Sequence, residues 1–166
     1  MYKATEVFGK WAEEGKDIGM EEGHSASVNE MLNFALKERR EKEEEFSFLD
    51  IGCGNGWVVR KVTQDSLCLS ALGLDGAEQM IANAKSRGQE CQYIHTDINS
   101  YTPKSKFDLV HSMEVMYYLE DPFSIIKKVE DSWLNPDGRL IIGIDLYYEN
   151  KDCLLYTSDA ADEGLG

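Results

Sequence analysis

The run Asp50-Ile51-Gly52-Cys53-Gly54-Asn55-Gly56 sets an acid two places before three glycines on alternate positions. Glycine at every second residue lets the backbone turn sharply and leaves no Cβ between the loop and a ligand. The apolar residues Phe46, Phe48, Leu49 and Ile51 lead into it and read as a short strand. A strand feeding a glycine loop is how an α/β sheet presents a nucleotide-like ligand at the carboxyl ends of its strands. The spacing is G-x-G-x-G, which departs from the G-x-G-x-x-G of dinucleotide binders. Asp50 would also face a pyrophosphate with like charge, which is costly in a low-dielectric site. A ligand with no phosphate and a cationic end fits better. Taken alone, the run also reads as a glycine turn of purely structural purpose.

Two further acids fall at intervals that matter. Cys68 to Leu74 reads as a second strand that ends in Asp75, about 20 residues beyond the loop, where an acid can accept hydrogen bonds from both ribose hydroxyls. Asp75 as the N-cap of the following helix is the other reading, and both roles are compatible. Ala77, Met80, Ile81 and Ala84 then form one apolar helical stripe, closed by Gly88. A third strand, Cys91 to Thr96, ends in Asp97-Ile98. An acid there can take the exocyclic amine of adenine, with the next backbone N–H on a ring nitrogen; a loop aspartate closing an Asx-turn is the equal alternative. S-adenosylmethionine, with its α-ammonium, sulfonium, ribose and adenine, is a ligand of this description.

The elements that must hold these residues continue downstream. Phe107 to Ser112 forms a fourth strand and runs into Met113-Glu114-Val115-Met116-Tyr117-Tyr118-Leu119. Asp121-Pro122 opens a helix as N-cap and first helical position, and Phe123, Ile126 and Val129 are expected to face inward. Leu134-Asn135-Pro136-Asp137-Gly138-Arg139-Leu140 predicts a turn into a fifth strand over Leu140 to Ile144.

With these motifs in order, residues 46–145 resemble the core of a class I S-adenosylmethionine-dependent methyltransferase of small-molecule type, similar to the type 11/25 methyltransferase domains. The resemblance rests on Asp50 to Gly56, Gly73-Leu74-Asp75, Asp97-Ile98, Phe107-Asp108-Leu109-Val110 and Leu134-Asn135-Pro136-Asp137-Gly138. It implies an α/β fold, a Rossmann-like doubly wound parallel sheet of five strands in order 3-2-1-4-5, with helices on both faces. It also implies S-adenosylmethionine as cofactor. Asp50, Gly52, Cys53, Gly54, Asn55 and Gly56 would then line the methionine end, and Asp75, Gly76 and Met80 the ribose side. Asp97 and Ile98 would bracket adenine, and Ser112 and Met113 would lie beneath the sulfonium. The reaction implied is methyl transfer to a small-molecule acceptor by in-line displacement, with positioning supplying most of the acceleration. A general base is needed only if the acceptor must lose a proton. Glu114, Tyr117, Tyr118 and His24 are the acceptor-side candidates, the two tyrosines being equally suited to aromatic contact with positive charge.

Residues 1–45 form a separate N-terminal segment, 46–146 the cofactor-binding core, and 147–166 a tail. Ser27-Val28-Asn29-Glu30 has the form of a capping box, followed by the apolar face Val28, Met31, Leu32 and Ala35. Lys37 to Glu45 reads as a solvated helix end and connector. Trp11, Met20 and His24 are candidates for a lid over the cofactor mouth; the alternative is a helix packed on the sheet edge.

A net charge of −14 argues against binding a nucleic-acid backbone, because no basic stripe exists to exchange for counterions. No signal peptide and no stretch of apolar residues long enough to span a membrane is read. Cys53, Cys68, Cys91 and Cys153 form no CxxC pair or metal-like cluster, and reduced thiols in a cytoplasmic compartment follow. For His95 and His111 a packed or hydrogen-bonded imidazole outranks a ligand role. The residues after Ile144 are too few for the last strand pair of the family, and their ending resembles translated adapter read-through. A C-terminally truncated chain with a non-native or disordered tail and an exposed fifth strand is therefore expected. Two other function classes stay open: a non-catalytic S-adenosylmethionine-binding module or inactive fragment, and an NAD-dependent oxidoreductase. The acceptor is not legible, nor is the oligomeric state.

Overall fold

The computed structural model describes residues 4–145. Helix α1 (Ala4–Glu13) and the long helix α2 (Asp17–Glu41) precede strand β1 (Phe46–Ile51) and helix α3 (Trp57–Val62). Strand β2 (Cys68–Asp75), helix α4 (Glu78–Arg87) and strand β3 (Gln92–His95) follow. The second half holds strand β4 (Phe107–Met113), a single 3-10 turn over Met116–Tyr118, helix α5 (Pro122–Lys128) with a π-type turn over Val129–Trp133, and strand β5 (Leu134–Gly143). All pairings are parallel and the sheet order is β3-β2-β1-β4-β5, as the motif order implies.

Alternation along the strands splits the core into two layers. Phe46 and Phe48 of β1 and Leu109 of β4 pack with Val28, Leu32, Ala35 and Leu36 of α2 and Val58, Val59 and Val62 of α3. Leu49 and Ile51 point the other way, against Val110, Ile125, Val129 and Trp133. A strand covered on both faces has no polar side, which is why β1 reads as a near-continuous apolar run up to Asp50.

At the amino ends of the strands Asp108 acts as a hub. Its carboxylate accepts from Ser47 N and Oγ, each at 2.8 Å, from Asn135 Nδ2 at 3.1 Å and from Arg39 Nη2 at 3.2 Å. Burial would raise this carboxyl, but the Ser47 and Asn135 hydrogen bonds and the Arg39 charge hold it below its ordinary range. The Asn-Pro-Asp-Gly motif thus ties the start of β5 to β1, β4 and α2.

Three expectations are corrected. Ser27 is not a cap, because α2 already runs continuously from Asp17 and carries Ser27 in its interior. A capping box acts where the chain enters a helix, and here the entry is fixed earlier, by the buried Asp17. Phe123 is 80% exposed, not inward; Ile125 and Val129, four apart, make the buried face of α5 and its extension. The predicted 134–140 turn is part of β5, which pairs from Leu134 opposite Phe107 and absorbs the extra residues as an irregularity before Arg139 meets Leu109. Asp137 takes φ 63° there, a value that suits aspartate better than most residues. The tail expected over residues 147–166, with Cys153, lies outside the described residues.

Candidate functional site

The carboxyl ends of β1 and β4 lie side by side where the strand order reverses, the position at which open α/β sheets hold ligands. The glycine loop sits there and is pinned by backbone donors. Gly52 N and Cys53 N both donate to Leu74 O, at 2.7 and 2.9 Å. Gly54 N donates to Asp75 Oδ2 at 2.9 Å, and Ala77 N to Asp75 Oδ1 at 2.7 Å. One carboxylate therefore fixes both the loop and the entry to α4, although Ala77 rather than Asp75 is that helix's N-cap. Burial pushes the Asp75 carboxyl above its ordinary value, against the pull of those two N–H donors.

The last two glycines of the loop differ in what surrounds them. Gly54, at φ 52°, would carry a Cβ into open space, with nothing within 4 Å. Gly56, at φ 77°, would drive a Cβ to 2.5 Å from the Tyr93 ring. The first faces free space; the second is bare because Tyr93 needs the room. Tyr93 also lies 2.9 Å from the Cβ positions of Gly73 and Gly88, and its hydroxyl donates to Gly56 O at 3.2 Å.

Several candidate side chains serve the fold. Asn55 is buried, donates from Nδ2 to Asp17 O at 3.0 Å and accepts from Trp57 N at 3.2 Å, so its side chain is used within the fold. Cys53 is buried, and desolvation followed by the Asp50 and Asp75 charges raises its thiol well above the ordinary value, keeping it neutral. Met80 is core between α1 and α4, with Ala12, Ala77, Phe8 and Met20. Ser112 Oγ donates to Ile51 O at 3.1 Å, bridging the ends of β4 and β1, and Met113 stands beside it at the end of β4. Asp50 and His111, opposite each other on β1 and β4, form a buried pair. His95, by contrast, is exposed, with Nε2 3.1 Å from Gly76 O. Asp97 is exposed and closes the Asx-type turn, taking Asn99 N at 2.9 Å and Asn99 Nδ2 at 2.8 Å; Ile98 packs against the second core layer.

The N-terminal segment crosses the same end of the sheet. Thr5 Cγ2 lies 2.8 Å from the Cβ position of Gly76, while Phe8 meets Tyr118 edge-on at 5.3 Å. Helix α1 therefore spans from the tip of β2 to the segment after β4. Its far end is anchored by Asn83 Nδ2 donating to Ala12 O at 3.1 Å and by an ion pair between Asp17 and Arg87. Burial alone would raise the Asp17 carboxyl, but hydrogen bonds from Arg87, Asn55 and Asn83 lower it.

Beyond β4, Glu114 takes φ 59° and aims its carboxylate at two donors, Tyr117 Oη at 2.6 Å and Asp145 N. Burial and then the bond to Glu114 push the Tyr117 phenol far up, leaving it a proton donor. His24 of α2 reaches the same place, with Nδ1 3.2 Å from Asp145 Oδ2. Asp17, Arg87, Tyr93 and Asp145 are the participants that sequence reasoning missed. Of these only Asp17, an acid between Gly15 and Gly19, carried a local signal. Surface clefts lie on the outer side of α1, around Val7, Lys10 and Trp11, and between α2 and α3, away from the glycine loop.

Comparison with known proteins agrees with this geometry. The family model described as a methyltransferase domain matches residues 49–142. A malonyl-[acyl-carrier protein] O-methyltransferase of Halalkalibacterium halodurans is 32% identical over 130 residues, which cover 70% of this chain and 46% of that protein. The chain thus spans about half the length of the curated relatives it matches. Among solved structures, the complex between the Haloferax volcanii Trm112 methyltransferase activator and a methyltransferase aligns with TM-score 0.73 and 25% identity, over 92% of this chain and 66% of that one. The N-methyltransferase NodS from Bradyrhizobium japonicum, in complex with S-adenosyl-L-homocysteine, aligns with TM-score 0.57 and 25% identity over 71% of this chain and 60% of that one.

Proposed function

The chain belongs to the methyltransferase-domain family matched over residues 49–142, and on that premise we propose that it transfers the methyl group of S-adenosylmethionine to a small-molecule acceptor. The observation that carries this reading is the Gly54–Asp75 arrangement. A buried backbone position with no side chain, and with free space where a Cβ would stand, sits beside an acid at the next strand tip. A carboxylate offers about four lone-pair positions, so two N–H contacts leave Asp75 capacity for ribose hydroxyls. The buried Asp50 supplies negative charge on the side where a ligand's ammonium would lie.

When bound, the cofactor supplies an electrophilic methyl group on a good leaving group. The protein's own residues then have positioning work to do. The Gly52–Gly56 backbone bounds one end, Ser112 and Met113 the floor, and Asp97 with Ile98 the adenine side. In this reading α1 and the start of α2 form the lid, with Trp11, Met20 and His24 on it, which excludes water from the reacting groups. The relative named for malonyl-[acyl-carrier protein] O-methylation supports a metabolic acceptor over a nucleic acid, as does the net charge of −14. Among the described residues no helix is long and apolar enough to cross a membrane, and Cys53, Cys68 and Cys91 are free thiols, in keeping with a reducing, cytoplasmic setting.

Calorimetric titration with S-adenosylhomocysteine and with NADH tests the proposal. Binding of the first alone is expected. Preference for NADH would point instead to the oxidoreductase reading.

A further inference from the structure

His24 and Asp145 come from distant parts of the chain, α2 and the residues just after β5, and meet at the carboxyl end of the sheet. Their side chains are only 20% and 34% exposed. His24 Nδ1 is buried with no aligned hydrogen bond, yet it lies 3.2 Å from Asp145 Oδ2. Hydrogen bonds of this kind in unliganded enzymes are often misaligned and tighten when substrate binds. A carboxylate on Nδ1 selects the tautomer that carries its proton there, which makes Nε2 the proton-accepting nitrogen.

The neighbouring Glu114 is held in place at both oxygens, Oε2 by the Tyr117 hydroxyl at 2.6 Å and Oε1 by Asp145 N. Tyr117, half exposed, donates its hydroxyl proton to Glu114. The Glu114–Asp145 contact also ties the segment after β4 to the residue that faces His24. One local network thus fixes the position of the Asp145 backbone while its side chain faces the imidazole.

We infer that His24, oriented by Asp145, removes a proton from the methyl acceptor, so that the acceptor is a neutral O–H or N–H nucleophile rather than a carboxylate. The inference rests on the methyl-transfer reading above. In the step, the acceptor heteroatom forms a bond to the methyl carbon as the carbon–sulfur bond breaks and its electron pair stays on sulfur. The proton displaced from the acceptor goes to His24 Nε2. The resulting imidazolium is stabilised by the Asp145 carboxylate until it loses the proton to solvent. Asp145 is a positioning residue in this account, and His24 the catalytic one.

Two measurements on the full chain test it. Long-range proton–nitrogen NMR of the cofactor-free protein at mildly alkaline pH should show His24 with its proton on Nδ1, and Asp145→Ala should revert it to the Nε2–H tautomer. An Nε2–H tautomer or a persistent imidazolium in the wild type would identify a structural latch and overturn the inference. The second measurement is methyl transfer to matched alcohol, amine and carboxylate acceptors, alongside S-adenosylhomocysteine binding. His24→Gln should lower kcat about 100-fold or more on the protic acceptor, the usual worth of a general base, with cofactor affinity unchanged. Transfer confined to carboxylates, or a His24→Gln rate equal to wild type, would overturn it while binding persists. Loss of cofactor binding in the wild type would instead overturn the methyl-transfer reading itself.

Discussion

Asp50 Oδ1 and His111 Nδ1 lie 2.7 Å apart on neighbouring strands, with side chains 3% and 0% exposed. The acid that opens the glycine motif is therefore already half-satisfied from within the sheet. Removing the imidazole would leave a carboxylate in the core without its partner. His111→Leu should cost about 1–3 kcal/mol or more, the range for leaving a buried hydrogen-bonding group without its partner. Adding Asp50→Asn should restore most of that loss, because the stranded charge is gone. Urea denaturation of both variants checks the pair; equal stability of single and double variants would refute it.

Gly54 and Gly56 share the same left-handed backbone strain but not the same surroundings, so their alanine variants should separate. Gly54→Ala should lose about 1–2 kcal/mol from strain alone. Gly56→Ala should lose clearly more, because its Cβ would meet the Tyr93 ring at 2.5 Å. Cofactor affinity should fall sharply in Gly54→Val while its circular dichroism stays that of the wild type. Thermal melts and S-adenosylhomocysteine titrations read the two effects independently.

Asp75→Ala should weaken S-adenosylhomocysteine binding by about 1.5–3 kcal/mol for each charge-assisted hydrogen bond removed. Binding should also depend on pH with a definite sign. Burial raises the folded-state value of Asp75 above the ordinary 3.8, so the free folded protein holds this proton more tightly than the unfolded chain. Across that window its contribution to stability of the free protein is lost as pH rises. Affinity for a ribose that needs the carboxylate moves the other way and falls on acidification through the same window. A calorimetric pH series should show this fall, and Asp75→Asn should flatten it.

Arg87→Ala tests the anchor of the N-terminal segment. Asp17 is 0% exposed while Arg87 is 33% exposed, so the loss should be about 2–3 kcal/mol, below the 3–5 of a fully buried pair. Proteolysis should then cut first between α1 and α2, around Gly15. An unchanged cleavage pattern would show that α1 is held mainly by its apolar contacts with α4.

The sheet was legible because each strand ends in a local signal: an apolar run, then a glycine or an acid. Met80, Ile81 and Ala84 form the buried face their spacing predicts, and Gly88 closes that helix. What failed depended on partners far along the chain. Ser27 has a cap's neighbours but lies inside a helix whose start is set by Arg87, 70 positions from Asp17. Phe123 is apolar yet exposed because the inward face of α5 is set by Ile125 and Val129. His24 was visible as a candidate, but Asp145 was not, since only the folded sheet brings the end of β5 to α2.

Tyr93 fills the Cβ space of three glycines drawn from the loop, β2 and the end of α4. These positions are therefore not independent targets for mutagenesis. A substitution at Gly88 made on its own background would read as a requirement for glycine there, when the requirement belongs largely to the ring; at Gly56 the ring adds to the left-handed backbone, and at Gly73 to Cys53. Trimming the ring first, with Tyr93→Ala, should make alanine tolerable at Gly88, where a second neighbour, Arg60, is a flexible side chain. It should not do so at Gly73, which the Cys53 side chain still crowds at 2.7 Å. Order of introduction would then decide which double variants fold, a sign of epistasis that single-site scanning of this loop would miss.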